Sequence, residues 1–346
     1  MGSEIRHRIP ENDLGAALEQ MIARGSKSRR RIKRWRRRLS VYSSSYTIEN
    51  LKVELDDGKI LRMVLKDLSP SSLLSTANQV RPHFLYEPLR EIETYQRILN
   101  PLKLGTPICH GAVVSPLLER YWLFLERVDG PLLWQMGRME SWQKAARWLA
   151  RLHGEFAAVA RSRDWFRLAH LWRRDREFFN LWLVRAEEFL RRRHAADGQV
   201  VWRRFRRLAD RYDRVVNLLI ELPPTFIHGE FYPSNIILRE TESGREICPV
   251  DWELAAIGPG LIDLAALTSG DWTQERVHSM ISSYRDALEP TTRWRPSVPD
   301  LVEGVTCCQL HISMQFLGWA CDWSPPKRHS QNWLRQAFRL ADKLGL

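Results

Sequence analysis

The sequence predicts an α+β protein with two parts, a small antiparallel β-sheet followed by a larger, mainly helical region. Between about residues 39 and 126, short apolar runs alternate with turn residues, which is typical of strands. Beyond about residue 130, apolar residues recur at helical spacing. The length of 346 residues is sufficient for two domains.

The segment before the sheet is predicted to be helical and basic. Residues 11–38 begin with alanines and leucines at helical spacing and end in the basic run Lys27–Arg38. We expect residues 1–38 to form a basic helical segment, in which Lys27–Arg38 are dispensable for chemistry. The net charge of +12 attracts anions, so contact with an anionic surface stays open. No zinc-finger or RNP motif indicates specific recognition of nucleic acid.

Two strands of the predicted sheet form a hairpin. The runs Leu51–Leu55 and Ile60–Leu65 are separated by the turn Asp56-Asp57-Gly58, and the second run ends in Lys66. The preceding loop, Tyr42–Thr47, is rich in serine, and small side chains let backbone N–H groups approach phosphates. Two more strands are expected near residues 108–114 and 121–125.

A second predicted hairpin carries polar residues at its two ends. Asn235 precedes the apolar run Ile236–Leu238, and a turn at Thr241–Gly244 leads to the run Ile247–Val250, which ends in Asp251. If the two runs pair, Asn235 and Asp251 lie side by side. Amide and carboxylate oxygens are ligands that suit Mg²⁺.

The spacing of three motifs resembles that of the aminoglycoside phosphotransferase and choline kinase-like families, within the protein-kinase-like superfamily. The motifs are H-G-E-x-x-x-x-N at His228–Asn235, V-D-W-E at Val250–Glu253 and G-P-G-L-I-D-L-A at Gly258–Ala265. The sequence departs from the family at Glu230, where the family has aspartate. The carboxylate is kept on a side chain that is one methylene longer.

The resemblance implies a bilobal protein-kinase-like fold and a kinase that uses ATP or GTP with Mg²⁺. The acceptor would be a hydroxyl of a small molecule such as a sugar, a nucleoside, an aminoglycoside or another natural product. Glu230 would be the catalytic base, and His228 and Asp263 would order its loop. The expected metal ligands are Asn235 and Asp251, with Glu253 as a further candidate.

The resemblance also implies a nucleotide site in the first lobe. A lysine at the end of its third strand pairs the nucleotide phosphates and itself needs a glutamate from a helix. Glu91 is favoured as that partner because it follows Arg90 as in the family, and Glu93 stays open. Backbone groups at the hinge between lobes would bind the base. The expected nucleotide-binding residues are Lys66, Glu91, Ser43, Ser44, Ser45, Glu126 and Val128.

These expectations divide the chain into a nucleotide-binding lobe at residues 39–127 and a catalytic and acceptor-binding lobe at residues 128–346. In the second lobe, helices are expected near residues 166–194, 198–221, 272–288 and 299–318, and the helix around Ala145–His153 should support the catalytic loop. The arginines of this lobe favour a neutral or anionic acceptor over a cationic one.

Two other functions stay open. Glu230 and the glycine-poor loop are compatible with a catalytically weak pseudokinase, and the basic N-terminal segment with a polyanion-binding protein. The five cysteines form no C-x-x-C pair, no apolar run reaches the ~20 residues of a membrane span and no signal peptide is evident, so we expect a cytoplasmic protein.

Overall fold

The computed structural model describes residues 8–25, 30–40, 45–75, 82–159, 170–194, 199–288, 292–319 and 332–346. The chain forms two compact units. The first comprises Met1–Gly130 and Arg239–Glu253, and the second comprises Pro131–Leu238 and Leu254–Leu346. The division at residues 38 and 127 that the sequence suggests stays a prediction.

Five antiparallel strands form the sheet of the first unit, in the spatial order β1-β2-β3-β5-β4. The predicted α+β class with a small antiparallel sheet is confirmed. The strands are β1 (Ile32–Leu39), β2 (Ile48–Leu55), β3 (Ile60–Asp67), β4 (Cys109–Ser115) and β5 (Arg120–Glu126).

One face of this sheet is covered by helix α1 (Glu11–Gly25). Leu14 and Leu18 of the helix share one buried core with Leu51, Val53 and Met63 of the sheet. Successive side chains of a strand point to opposite faces. The odd-numbered residues of β2 and β3 therefore lie under the helix, and the even-numbered ones lie on the other face.

The helical prediction for residues 27–38 is wrong, because Ile32–Leu39 form the edge strand β1 and residues 27–29 lie outside the described residues. Arginine favours helices when no tertiary contact competes. Here β1 pairs with β2 from Ile32 to Leu39, and the Arg37 side chain, only 5% exposed, donates to the Ile9 carbonyl at 2.7 Å. Deleting this segment would remove a strand of the sheet, and its dispensability for chemistry stays a prediction.

A mostly buried helical segment begins at Pro88, after β3 and a connection that spans residues 68–87. It begins with α2 (Pro88–Glu93), continues as a π-helical stretch over Thr94–Leu99 and ends in the short α3 (Asn100–Leu102). π-Helical turns are rare and often occur at functional sites. Glu91 lies on the buried side of α2.

The second unit is mainly helical, as the sequence predicts. Helix α4 (Met139–Val159) packs on α9 (Gln274–Leu288), and α5 (Arg176–His194) packs on α10 (Val298–Trp319). Part of the predicted helix at 166–194 lies outside the described residues. The remaining helices are α6 (Gln199–Ala209), α7 (Asp213–Glu221), α8 (Leu261–Leu267) and α11 (Trp333–Lys343).

Short strands position the polar loops. β7 (Pro224–Ile227) pairs with β10 (Ala256–Pro259), which also pairs with β6 (Trp172–Arg173). β8 (Ile236–Thr241) and β9 (Gly244–Pro249) form a separate two-stranded sheet, as the second hairpin prediction requires. The limit between the two units falls inside β8, after Leu238.

Candidate active site

The loop that carries Glu230 leaves the buried strand β7 through a glycine. Gly229 has φ +88°, and a Cβ at this position would lie 2.2 Å from the Leu254 carbonyl oxygen. Both the left-handed backbone and the close approach require glycine. The sequence His228-Gly229-Glu230 therefore turns sharply at one fixed point.

Asp263 of α8 binds the start of this loop. It is fully buried, and its two carboxylate oxygens accept the backbone N–H groups of His228 at 2.7 Å and Gly229 at 2.8 Å. The His153 Nε2 atom lies 3.4 Å from the same carboxylate. Burial by itself raises the pKa of Asp263, but the contacts with His153 and with His228 outweigh it and leave the pKa below its ordinary value. Asp263 therefore stays ionised.

The imidazole of His228 is fully buried and accepts the Glu230 backbone N–H on Nδ1 at 3.3 Å. Asn235 reaches back from the end of the loop, where its Nδ2 donates to the Glu230 carbonyl oxygen at 3.1 Å. These contacts fix the backbone of Glu230 on both sides, while its side chain stays partly exposed. His228, Asn235 and Asp263 are thus brought together with Glu230 in the second unit.

Arg174, which directly follows β6, is a part of this loop region that the sequence did not single out. Its side chain is buried and its Nη2 donates to the Gly229 carbonyl oxygen at 3.1 Å. Burial lowers the pKa of Arg174, against the opposite effect of the Asp263 and Glu230 carboxylates. In the sequence, Arg174 follows Arg173 and precedes Arg176 by two residues. Both of these neighbours are exposed in the structure, and nothing in the sequence pattern marks Arg174 as the buried one.

In the first unit, Lys66 is only 6% exposed and lies between two carboxylates. Its Nζ lies 2.6 Å from Oε2 of Glu91 and 2.5 Å from Oδ1 of Asp251. Burial by itself lowers the pKa of Lys66, but the carboxylates of Asp251, Glu91 and Glu253 outweigh burial and raise it. Lys66 is therefore a buried, permanently charged group.

The lysine pairs with Glu91, and Glu93 instead pairs with Arg97 at 3.3 Å. Glu91 also accepts the Trp252 backbone N–H on Oε1 at 3.1 Å. Burial raises the pKa of the Glu91 carboxyl, against the opposite effect of Lys66. One buried glutamate thus contacts both the lysine and the segment that follows Asp251.

Asp251 has a left-handed backbone conformation, with φ +67°. Few residues other than glycine adopt it, and aspartate and asparagine do so more readily than most. The next turn is held by Arg90, whose Nη1 donates to the Glu253 carbonyl oxygen at 2.8 Å. The Glu253 side chain is partly exposed and contributes its charge to the surroundings of Lys66. In the sequence, Arg90 served only to locate Glu91, and no role of its own was predicted for it.

The remaining predicted nucleotide-binding residues have other observed contacts or lie outside the description. Ser43 and Ser44 are among the residues not described. Ser45 accepts the Leu74 N–H on its carbonyl oxygen at 3.0 Å. The Glu126 carboxylate accepts from the Ile108 N–H at 3.1 Å and from Arg239 at 3.0 Å, and Val128 follows β5 in a loop. The side chain of Glu126 thus stabilises the end of the sheet.

The predicted metal ligands fall in both units: Asp251 and Glu253 in the first, Asn235 in the second. Their proximity stays a prediction. Within the described ranges, no group of three or more His, Cys, Asp or Glu residues is arranged to hold a metal ion. The two expected ligands, an amide and a carboxylate, do not amount to such a group.

A family model described as "Phosphotransferase enzyme family" matches residues 42–297. The chain belongs to this phosphotransferase family. The match includes the Glu230 loop, Asp251 and Asp263. The kinase-like fold and the family that the three motifs indicated are therefore confirmed, and the protein is a phosphotransferase.

Solved structures share the fold of this phosphotransferase at low identity. A putative aminoglycoside phosphotransferase from Ralstonia eutropha is 12% identical, with a TM-score of 0.57 over 95% of this chain and 98% of that one. A streptomycin–ATP complex of APH(2")-IIa is 13% identical, with a TM-score of 0.56 over 97% of both chains. Choline kinase LicA from Streptococcus pneumoniae is 13% identical, with a TM-score of 0.54 over 96% of this chain and 99% of that one.

A comparison with curated proteins finds no match. Among the helices of the phosphotransferase that the structure describes, none combines the length and the apolar character needed to cross a membrane.

Proposed function

We propose that this phosphotransferase transfers the γ-phosphoryl group of a nucleoside triphosphate to a hydroxyl of a small molecule. The observation that carries the proposal is the buried Lys66, with its Nζ 2.6 Å from Glu91 and 2.5 Å from Asp251. A buried cation held by a helix glutamate is the arrangement with which kinases bind nucleotide phosphates. The nucleotide complex among the structures of similar fold supports the same proposal.

In this proposal, Lys66 binds the phosphates and Glu91 orients Lys66. Glu230 accepts the proton of the acceptor hydroxyl during transfer. His228, Asp263 and Arg174 keep the backbone of the Glu230 loop in place through the contacts with His228, Gly229 and Glu230. The longer side chain of glutamate needs only a slightly larger separation between its backbone and the acceptor.

The residues present fit Mg²⁺. The Nδ2 atom of Asn235 is bound to the Glu230 carbonyl, so its amide oxygen is the atom that would act as ligand. The carboxylate of Asp251 is 30% exposed and supplies a charged oxygen, and Glu253 is a further candidate. When bound, the metal would supply charge neutralisation of the phosphates. Asn235 directly precedes β8 in the chain, and Asp251 follows β9.

The acceptor is proposed only as a class: a small-molecule alcohol such as a sugar, nucleoside, aminoglycoside or other natural product. The arginines of α6 do not narrow the class of acceptor. Arg204 pairs with Asp342 at 2.8 Å and Arg206 pairs with Glu187. Because these charges have partners on the protein surface, they are weak evidence for an anionic acceptor.

The test is turnover of ATP and of GTP over a library of small alcohols, with the phosphorylated products identified by mass. We expect Mg²⁺-dependent transfer to at least one acceptor, and loss of that transfer in a folded Asp251→Asn variant. Tight nucleotide binding without transfer to any acceptor would favour a pseudokinase, in which the glutamate at position 230 does not support catalysis. Failure to bind any nucleotide would contradict the proposal.

A further inference from the structure

A row of basic side chains crosses the sheet of the first unit. Arg36 of β1 lies directly opposite Lys52 of β2, and Lys52 lies opposite Arg62 of β3. The Arg127 N–H donates to the Arg62 carbonyl oxygen at 3.0 Å, so Arg127 continues the row beyond β5. All four residues are exposed. We call Arg36, Lys52, Arg62 and Arg127 the basic row.

Strand β1 adds two more cations to the same face. Side chains on one face of a strand recur every second residue, about 7 Å apart, so Arg34 and Arg38 lie on either side of Arg36. This is the face opposite to the one that α1 covers through Leu51 and Val53. The edge strand therefore carries a cation at every second position over most of its length.

Few carboxylates balance these charges. Glu54 pairs with Arg34 at 2.6 Å, and Asp129 pairs with Arg127 at 3.0 Å and lies 3.5 Å from Arg62. In the part of the chain that the structure describes, Arg36, Arg38 and Lys52 have no ion pair. Like charges directly opposite each other destabilise a sheet. The row is thus an arrangement that a bound anion would stabilise.

The backbone of β1 has hydrogen-bonding groups directed to the outside of the sheet. The Ser40 N–H donates to the Ile48 carbonyl oxygen at 2.8 Å. In an antiparallel pair, alternate residues exchange hydrogen bonds with the neighbouring strand. Arg38 and Arg36 therefore bond to β2, and the intervening residues direct their N–H and C=O groups to the edge.

A strand added to this edge would bond to the backbone of Arg37 and Trp35. Its other residues would then lie opposite Arg36 and Arg38 in non-hydrogen-bonded pairs, in which the side chains come closest. Acidic residues at every second position of the added strand would match the arginines of β1 in spacing and in charge.

Charged residues on an edge strand also serve to prevent unwanted pairing. Lys52 and Arg62 lie on interior strands, where they cannot protect an edge, and they extend the positive potential across the face. This observation favours a ligand over protection alone. We propose that the edge of β1 binds an extended acidic segment of a partner protein, whose acidic residues alternate and lie opposite Arg36 and Arg38.

The experiment measures the binding of labelled peptides to the full chain by fluorescence anisotropy. One peptide alternates glutamate and threonine. A second has the same composition with its glutamates contiguous, and a third is the alternating peptide with N-methyl groups on the amides of one edge. We expect the alternating peptide to bind best, because only it combines the strand hydrogen bonds with the matched charges.

The variant Arg36→Glu with Arg38→Glu is compared with a control of equal charge change, Arg207→Glu with Arg211→Glu, on exposed positions of the second unit. The first should weaken binding roughly tenfold or more, because two attractive cross-strand pairs become repulsive. The control should bind as the parent does. Thermal unfolding of both variants establishes that they are folded.

Three outcomes would overturn the proposal. Equal binding of the alternating and contiguous peptides, with equal losses in both variants, would show attraction by net charge alone. Unchanged binding of the N-methylated peptide would exclude strand addition. Tighter binding of an RNA oligonucleotide or of phosphatidylserine vesicles, lost in the Arg36→Glu and Arg38→Glu variant, would assign the surface to another polyanion.

Discussion

The Asp263 Oδ2 atom accepts the backbone N–H of His228 at 2.7 Å, and its Oδ1 accepts the next N–H of the loop at 2.8 Å. Both oxygens of a fully buried carboxylate thus bind the backbone just before Glu230. Asp263 acts on the conformation of the loop, and Glu230 is the proposed catalytic base. Separate changes at the two positions should therefore have different consequences.

Asp263→Asn should lower the free energy of unfolding by about 2–3 kcal/mol, since the amide NH₂ that replaces one carboxylate oxygen cannot accept an N–H, and the remaining oxygen forms a neutral hydrogen bond that is weaker than a charged one. Urea unfolding measures this. Because the folded pKa of Asp263 is below its ordinary value, its contribution is present above the unfolded pKa and is lost as the pH falls through the folded pKa. The exposed Asp271→Asn is the control, and equal stability of the two variants would contradict the assigned contact.

Glu230→Gln should leave the protein folded and reduce transfer by roughly 10²–10⁴-fold, the range expected when a general base is removed. The nucleotide dissociation constant should stay close to that of the parent. Glu230→Asp should keep part of the activity if only reach is altered. Steady-state rates with an identified acceptor measure these effects. Transfer as fast in Glu230→Gln as in the parent would show that Glu230 is not the base.

Asp251→Asn removes the charge at this position while keeping a side chain that tolerates the same backbone conformation. Asparagine tolerates the left-handed φ of +67°, so the fold should persist. Loss of the charged oxygen should lower Mg²⁺-dependent transfer by roughly a hundredfold or more, the scale seen when one electrostatic contact to the reacting groups is removed. Asp251→Ala should in addition lose stability through backbone strain. Parent-like turnover of folded Asp251→Asn would contradict its role as a metal ligand.

Lys66→Met should lower the free energy of unfolding by about 3 kcal/mol, because Glu91 would stay buried without its cation. Denaturant unfolding measures this change. Because Lys66 ends a strand, the sequence predicts that it lies outside the packed interior and that Lys66→Ala weakens nucleotide binding without unfolding the sheet. The predicted location is wrong, since Lys66 is buried with its Nζ between two carboxylates. The effect of the substitution stays a prediction. A second change, Glu91→Gln, should restore part of the stability but no activity. If the stability lost by the double variant equals the sum of the losses in the two single variants, Lys66 and Glu91 are not coupled.

His311→Gln should make the protein less sensitive to acid. Burial and the nearby Arg174 lower the pKa of His311 to about 3. Between that value and the ordinary value near 6.5, the unfolded chain binds a proton that the folded chain does not, so stability rises with pH across this window. Unfolding free energies from pH 6.5 to pH 4 should fall less steeply in the variant. The exposed His83→Gln is the control for replacing a histidine, and a shared slope in all three proteins would exclude His311 as the cause.

The sequence predicted the family, the two-part α+β fold and the hairpin that Asn235 precedes and Asp251 follows. It could do so because these features depend on local patterns: apolar runs, turn residues and polar residues at fixed spacing. It also favoured Glu91 over Glu93, and the structure pairs Lys66 with Glu91 at 2.6 Å. The nucleotide-binding and catalytic roles themselves stay proposals.

Other features depended on contacts between residues far apart in the chain. The basic segment at residues 32–39 has the propensity of a helix, yet pairing with β2 makes it a strand. Nothing in the sequence marks Arg174 or Arg90 as buried, but each donates from a buried position to a backbone carbonyl, Arg174 to that of Gly229 and Arg90 to that of Glu253. Composition and spacing determine which residues are available. Only tertiary packing decides which charges are buried, because burial requires a partner from elsewhere in the chain to offset the cost of desolvation.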